Sequence, residues 1–192
     1  MTQPRNYLTI VSGLPRSGTS MMMRMLEAGG VPALVDDIRA ADEDNPRGYY
    51  EFEPVKKTKE DASWLEGSEG KVVKMVYRLL YDLPGGREYR VVFTQRNLEE
   101  VLASQNVMLG RQGKDAGKLT EEKLMGLFRA ELEKADEWIR EQPNFKLLYV
   151  SYNDTLKDPA PTIRALDEFL GGLDTGAMQR VVEPTLYRQR KA

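Results

Sequence analysis

At 192 residues, with 41% hydrophobic and 30% charged side chains, the chain has the size and composition of one globular domain with a sizeable core. A formal net charge of −2 argues against a generic polyanion binder, so no nucleic-acid partner is expected and an anionic ligand needs local positive charge. The absence of cysteine and histidine excludes disulfides, thiol catalysis, an imidazole base and the commonest zinc ligand, and leaves acid–base chemistry to carboxylate, lysine or tyrosine.

The opening MTQPRNYLTIVSG lacks a basic region followed by a long apolar stretch, and no apolar run elsewhere is long enough to span a membrane. No signal peptide, no membrane partner and a cytoplasmic location are therefore expected. YLTIVSG (residues 7–13) is a short apolar run ending in glycine and reads as a buried strand. Met21, Met22, Met25 and Leu26 follow at helical spacing as core positions, and Gly29 and Gly30 end that helix. PALV reads as a second short strand, DEDNPRGYYEFEP as turns running into aromatics, and VKKTKEDASWLE as a polar helix. KVVKMVY and YRVVFTQ read as strands. NLEEVLASQNVML is a helix with Asn97 as N-cap and Glu100 completing a capping box. GRQGKDAGK (residues 110–118) reads as a mobile loop. Thr120 caps EEKLMGLFRAELEKADEWIREQ, in which Leu124, Leu127, Phe128, Leu132, Ala135 and Ile139 share a face. FKLLYVSY is another strand and PAPTIRALDEFLGG a helix closed by Gly171. With no repeat and no linker, this alternation predicts a single α/β domain over residues 1–192, three layers with a mostly parallel central sheet.

The segment GLPRSGTS, residues 13–20, joins the first strand to the first helix. Backbone N–H groups at such a junction point at a bound anion, and the helix dipole adds to the attraction. Gly13 and Gly18 permit the tight wrap, and Pro15, Arg16, Ser17, Gly18, Thr19 and Ser20 are the candidate anion contacts. Thr19 stands where a nucleotide-hydrolysing P-loop carries lysine. Magnesium-dependent transfer also wants a carboxylate at a neighbouring strand end. KVVKMVY ends in tyrosine and YRVVFTQRN in Gln-Arg-Asn, so metal-assisted ATP or GTP chemistry is disfavoured and no metal site is expected. The competing reading is a strand–helix turn without a ligand.

GLPRSGTS resembles the loop that holds the 5′-phosphosulfate of 3′-phosphoadenosine 5′-phosphosulfate (PAPS) in sulfotransferases, in the PRSGT form of the tyrosylprotein and Golgi branches. VVFTQRNLEEVLAS resembles the family's 3′-phosphate motif, with Arg96 at a strand end and Ser104 on the helix that follows. An arginine fork and a hydroxyl suit a terminal phosphate; a salt bridge from Arg96 to Glu99 or Glu100 is the alternative. FKLLYVSYNDTLKDPAPTIRALDEFLG is similar to the family's strand–YEDL–DP–helix–FLG segment, with Asn153 in place of the usual glutamate. Tyr152 then stands where a family tyrosine contacts the adenine, against the alternative of a core tyrosine. The likeness spans residues 7–172. The family's C-terminal glycine–lysine segment is absent; Arg188, Arg190 and Lys191 offer a basic tail that either folds back on the nucleotide or frays.

The resemblance implies a sulfotransferase using PAPS as co-substrate, without an obligatory metal, on a hydroxyl or amine of a small molecule or peptide. Arg16 is the candidate for the bridging oxygen, and Lys74 matches the family's strand lysine that acts on the leaving oxygen. The cytosolic branch carries a histidine two residues after that lysine. Val76 occupies the position here, so a histidine base is excluded. The candidate bases are Asp37, beside Asp36 and Arg39 at the spacing of the tyrosylprotein branch's glutamate, and Glu51 in NPRGYYEFE. GYYEF and Trp64 either line an acceptor pocket or belong to the core. A P-loop small-molecule kinase and a non-catalytic nucleotide-binding relative are the alternatives.

Overall fold

The structure, a computed structural model, describes residues 5–36, 38, 48–111 and 120–183. Four strands form one parallel sheet: β1 (Leu8–Gly13), β2 (Val72–Lys74), β3 (Tyr89–Gln95) and β4 (Phe145–Ser151), in the order β2-β1-β3-β4. All six residues of β1 are buried, because that strand is central and both its faces are covered. Six α-helices are present among the described residues: α1 (Thr19–Ala28), α2 (Leu98–Arg111), α3 (Glu121–Glu141), α4 (Tyr152–Lys157), α5 (Pro159–Leu170) and α6 (Thr175–Arg180).

Period-two alternation along β1 feeds two cores. Leu8 and Ile10 join Val73, Val91 and Phe93 against Val101 of α2 and Ala135 and Ile139 of α3. Val11 joins Val72, Val92 and Val150 against Met22, Met23, Met25 and Leu26 of α1, Leu166 of α5 and Met178 of α6. The result is the expected three-layer α/β arrangement, and the methionines after the loop are core.

Several local readings change. PALV makes a single bridge, Ala33 to Val72, because Pro32 has no N–H to donate to a ladder and contributes only its carbonyl, to Val72. KVVKMVY is a strand only to Lys74, and residues 77–82 coil into a 3₁₀ turn. The polar helix over VKKTKEDASWLE is replaced by two 3₁₀ turns, Glu53–Lys57 and Ser63–Leu65. Asn97 does cap α2, accepting from Glu99 N–H at 2.9 Å. Glu100 does not complete a capping box: it turns to Arg96, and Asn153 takes the Asn97 N–H. Leu127 points outward at 54% exposure while Ala135 and Ile139 carry the buried face of α3. Two short helices, α4 and α6, escaped the sequence reading. Residues 112–118 of the glycine-rich loop lie outside the described residues.

Three donors converge on the carboxyl end of α5. Arg5 donates to Gly171 O at 2.7 Å, Tyr7 OH to Leu170 O at 2.6 Å, and Arg90 to Phe169 O. The Arg90 guanidinium also lies 4.0 Å from the Tyr7 ring centroid. Cations at a helix carboxyl end complement the dipole and satisfy orphan carbonyls. Arg90→Met keeps the apolar stem and removes the charge and the donor, so it is expected to cost about 1–3 kcal/mol in urea unfolding. An unchanged unfolding midpoint would contradict that role.

Candidate active site at the carboxyl edge of the sheet

The loop leaving β1 is built around two glycines that no other residue can replace without displacement. A Cβ at Gly13 would lie 2.6 Å from the Thr94 carbonyl oxygen. One at Gly18, where φ is 96°, would lie 2.2 Å from Tyr152 Cδ2. Thr94 Oγ1 donates to Ser12 O at 3.0 Å, so at 2.7 Å it accepts from Ser17 Oγ. The Ser17 N–H donates to Leu14 O at 3.1 Å. The Ser17 hydroxyl thus ties the loop to β3, while its N–H closes a turn within the loop. The first helical bond of α1 runs from Met22 N–H to Gly18 O at 3.1 Å. The N–H groups of Thr19, Ser20 and Met21 precede it at the positive end of the helix, whose first turn has no acidic residue.

Arg16 has φ of 72°, a left-handed conformation that costs a non-glycine residue about 1–2 kcal/mol. Both ends of the residue are held. Its carbonyl accepts from Arg96 Nη1 at 3.0 Å, and its own Nε donates to Ser104 Oγ at 3.0 Å. The loop motif and the strand–helix motif thus meet at this one residue. Arg96, from the end of β3, has a side chain only 7% exposed and pairs through Nε with Glu100 Oε2 at 3.1 Å, the Glu100 partner that the sequence left open as an alternative. Its guanidinium carbon lies 4.8 Å from the centroid of the Tyr152 ring, which in turn packs on Gly18. Burial raises the Tyr152 pKa above the ordinary phenol value, so its hydroxyl stays protonated at neutral pH. The cradle, the donors and the ring are of the right chemistry for a phosphorylated adenosine.

Gly18→Ala must push Tyr152 off the loop while adopting an unfavourable φ. A loss of about 2–4 kcal/mol is expected in thermal or chemical unfolding. Gly30→Ala is the control. Its φ is 91° but no atom lies within 4 Å of a Cβ, so only the backbone cost of about 1–2 kcal/mol applies. Equal losses in the two variants would remove Tyr152 from the explanation.

Lys74 ends β2, and its Nζ donates to the Tyr49 carbonyl, which Ser20 Oγ also approaches at 3.4 Å. The chain from Tyr49 to Glu51 is thereby moored beside the start of α1. Glu51 has a side chain 22% exposed with Lys56 Nζ at 3.8 Å, and its main-chain carbonyl accepts from Asp36 N–H at 3.2 Å. The Asp36 carboxylate is taken up by the N–H groups of Ile38 and Glu53. Asp37, Arg39, Arg188, Arg190 and Lys191 lie outside the described residues. Of the aromatics of GYYEF, Tyr49 is buried, Tyr50 OH donates to Glu27 at 2.8 Å, and Phe52 meets Trp64 edge to face, both packed against the core.

Sequence reasoning missed the structural duty of Thr94 and of Asn153. Nothing in VVFTQ marks its threonine. Asn153 stood out as a departure from the family pattern, and that was the available signal.

Residues 8–192 match the family model described as the sulfotransferase domain. No curated protein matches the chain. Among solved structures, retinol dehydratase in complex with androsterone and the inactive cofactor PAP is 18% identical, with a TM-score of 0.49 over 93% of this chain and 64% of that one. This chain thus spans less than two thirds of the retinol dehydratase chain. The sulfotransferase from Alicyclobacillus acidocaldarius is 15% identical, with a TM-score of 0.50 over 88% of this chain and 84% of that one, a likeness of fold. A sugar kinase from Janibacter sp. HTCC2649 is 13% identical, with a TM-score of 0.44 over 94% and 98%. With the family model covering nearly its whole length, from β1 onward, the chain belongs to the sulfotransferase domain family.

Proposed function

We propose that the protein transfers a sulfuryl group from PAPS to a hydroxyl or amine of a small-molecule or peptide acceptor, in the cytoplasm. The observation that carries this reading is the meeting at Arg16 of the two phosphate motifs, through Arg96 on its carbonyl and Ser104 on its guanidinium. In the reaction a bond forms between acceptor oxygen or nitrogen and sulfur. The bond from sulfur to the bridging phosphate oxygen breaks, and its electron pair leaves with the phosphate. The acceptor proton passes to a base, for which Asp37 and Glu51 are the candidates.

Catalysis of this kind is mostly positioning and cationic stabilisation. Arg16 stands at the loop, its side chain oriented by Ser104, and is assigned to the bridging oxygen. Lys74, at the end of β2 and donating to the Tyr49 carbonyl beside the start of α1, is assigned to the leaving oxygen. Arg96 and Ser104 are assigned to the 3′-phosphate, Tyr152 to the adenine, and the N–H groups of Gly18, Thr19 and Ser20, with Pro15 shaping the turn, to the 5′-phosphate. Arg188 is assigned to the nucleotide on its charge. A kinase reading has less support, since Thr19 stands in the lysine position and β3 runs out into Gln95 and Arg96.

Isothermal calorimetry with adenosine 3′,5′-bisphosphate and with ATP, in the presence of a chelator, tests the reading. Mass spectrometry of acceptors incubated with PAPS tests turnover. Preference for the bisphosphate and a sulfated product are expected. Magnesium-dependent ATP binding with no affinity for the bisphosphate would sink the proposal.

A further inference from the structure

Glu100 is a buried carboxylate, 3% exposed, that no step above uses. A buried charge is retained only with good partners. Glu100 Oε2 accepts from Arg96 Nε at 3.1 Å and from Asn153 Nδ2 at 3.0 Å. Asn153 sits in the first turn of α4, and its Oδ1 accepts from the Asn97 N–H at the start of α2 at 3.2 Å. One amide thus ties the beginnings of two helices and steadies the carboxylate between them. The guanidinium plane of Arg96 is fixed on three sides, by Glu100 at Nε, by the Arg16 carbonyl at Nη1 and by the Tyr152 ring over its face.

We infer that Glu100 and Asn153 are positioning residues: they set the orientation of Arg96, the group assigned to the 3′-phosphate, which also holds the Arg16 carbonyl. This rests on the PAPS reading above. Asparagine suits the position because its amide donates to Glu100; a carboxylate there would lack that donor at neutral pH and repel Glu100. An orienting contact of this kind acts on the selectivity for the 3′-phosphate more than on nucleotide binding at large, because the 3′-phosphate reads the Arg96 geometry directly and the loop reads it only through the Arg16 carbonyl.

The measurement is the ratio of affinities for adenosine 3′,5′-bisphosphate and adenosine 5′-monophosphate, by calorimetry on the full chain. In Asn153→Ala the ratio is expected to fall about tenfold, the scale of a lost hydrogen bond to a charged group. Asn153→Asp keeps the acceptor for Asn97 and loses the donor to Glu100, and its ratio is expected to fall at least as far. Glu100→Gln, which keeps the shape, is expected to lower the ratio as well. Melting curves confirm that each variant is folded, and the two Asn153 variants keep the test alive if Glu100→Gln is not. A ratio unchanged in Asn153→Asp would overturn the inference, since only the helix tie would then matter. Equal weakening toward both nucleotides would overturn it too, as the mark of a merely structural role. A wild-type protein that does not prefer the bisphosphate would instead sink the PAPS reading, and the inference with it.

Discussion

Arg16→Gly is expected to lower turnover by about 10²–10³-fold, the scale of one preorganised donor at a developing charge, without lowering stability. The guanidinium is the group assigned to the bridging oxygen, where negative charge grows as the sulfur–oxygen bond breaks. The Ser104 contact at 3.0 Å holds that guanidinium in one orientation before any ligand arrives. Stability goes the other way because the backbone at this residue sits at φ of 72°, which glycine adopts without a Cβ penalty. Arg16→Ala should show the same loss of turnover but keep the strained backbone, so it should melt below the glycine variant by the equivalent of about 1 kcal/mol. Turnover within a few-fold of wild type in both variants would remove Arg16 from the chemistry.

Either Glu51→Gln or Asp37→Asn, but not both, is expected to reduce kcat by about 10²–10⁴-fold with little change in affinity for adenosine 3′,5′-bisphosphate. The chain has no histidine, and the position two residues beyond Lys74 holds Val76, 41% exposed. Another group must take the acceptor's proton. Glu51 lies two residues from the carbonyl that Lys74 and Ser20 hold, which brings its segment to the start of α1. The backbone bond between Asp36 and Glu51 brings the segment that leads into Asp37 to the same place. Asp36 is excluded because two backbone N–H groups occupy its carboxylate. The separation of kcat from nucleotide affinity follows because a base meets the acceptor and not the phosphates. Near-normal turnover of an alcohol by both variants would transfer the task to Lys74, and an amine acceptor needs little help from either.

The layers and the loop were legible in the sequence for a physical reason. Buried parallel strands leave continuous apolar runs, as in LTIV and VVF, and the wrap around an anion leaves glycines at fixed places. Arg96 and Ser104 were legible because a strand end followed by a helix sets their separation. What stayed hidden depends on neighbours remote in sequence. PALV has strand-like composition, yet its ladder is limited by Pro32. Glu100 stands at a capping-box position, yet the guanidinium of Arg96 outcompetes the helix end for its carboxylate. Thr94 gives no sign of its bonds to Ser12 and Ser17. The contacts of Tyr50 with Glu27 and of Phe52 with Trp64 are equally unmarked in the sequence.

The central place of β1 has a consequence for synthesis. Its six buried residues precede their partners along the chain, Val72–Lys74 on one side and Tyr89–Gln95 on the other, and the clasp of Arg5 and Tyr7 waits for Leu170 and Gly171. Such contacts are far apart along the chain, and closing them is slow. Until they close, β1 and the methionine-rich face of α1 have no sheet to bury them, which is the condition under which nascent chains engage chaperones or aggregate. The loop at residues 13–20 takes its shape from Thr94, Arg96 and Tyr152 and so acquires it only after synthesis has passed all three.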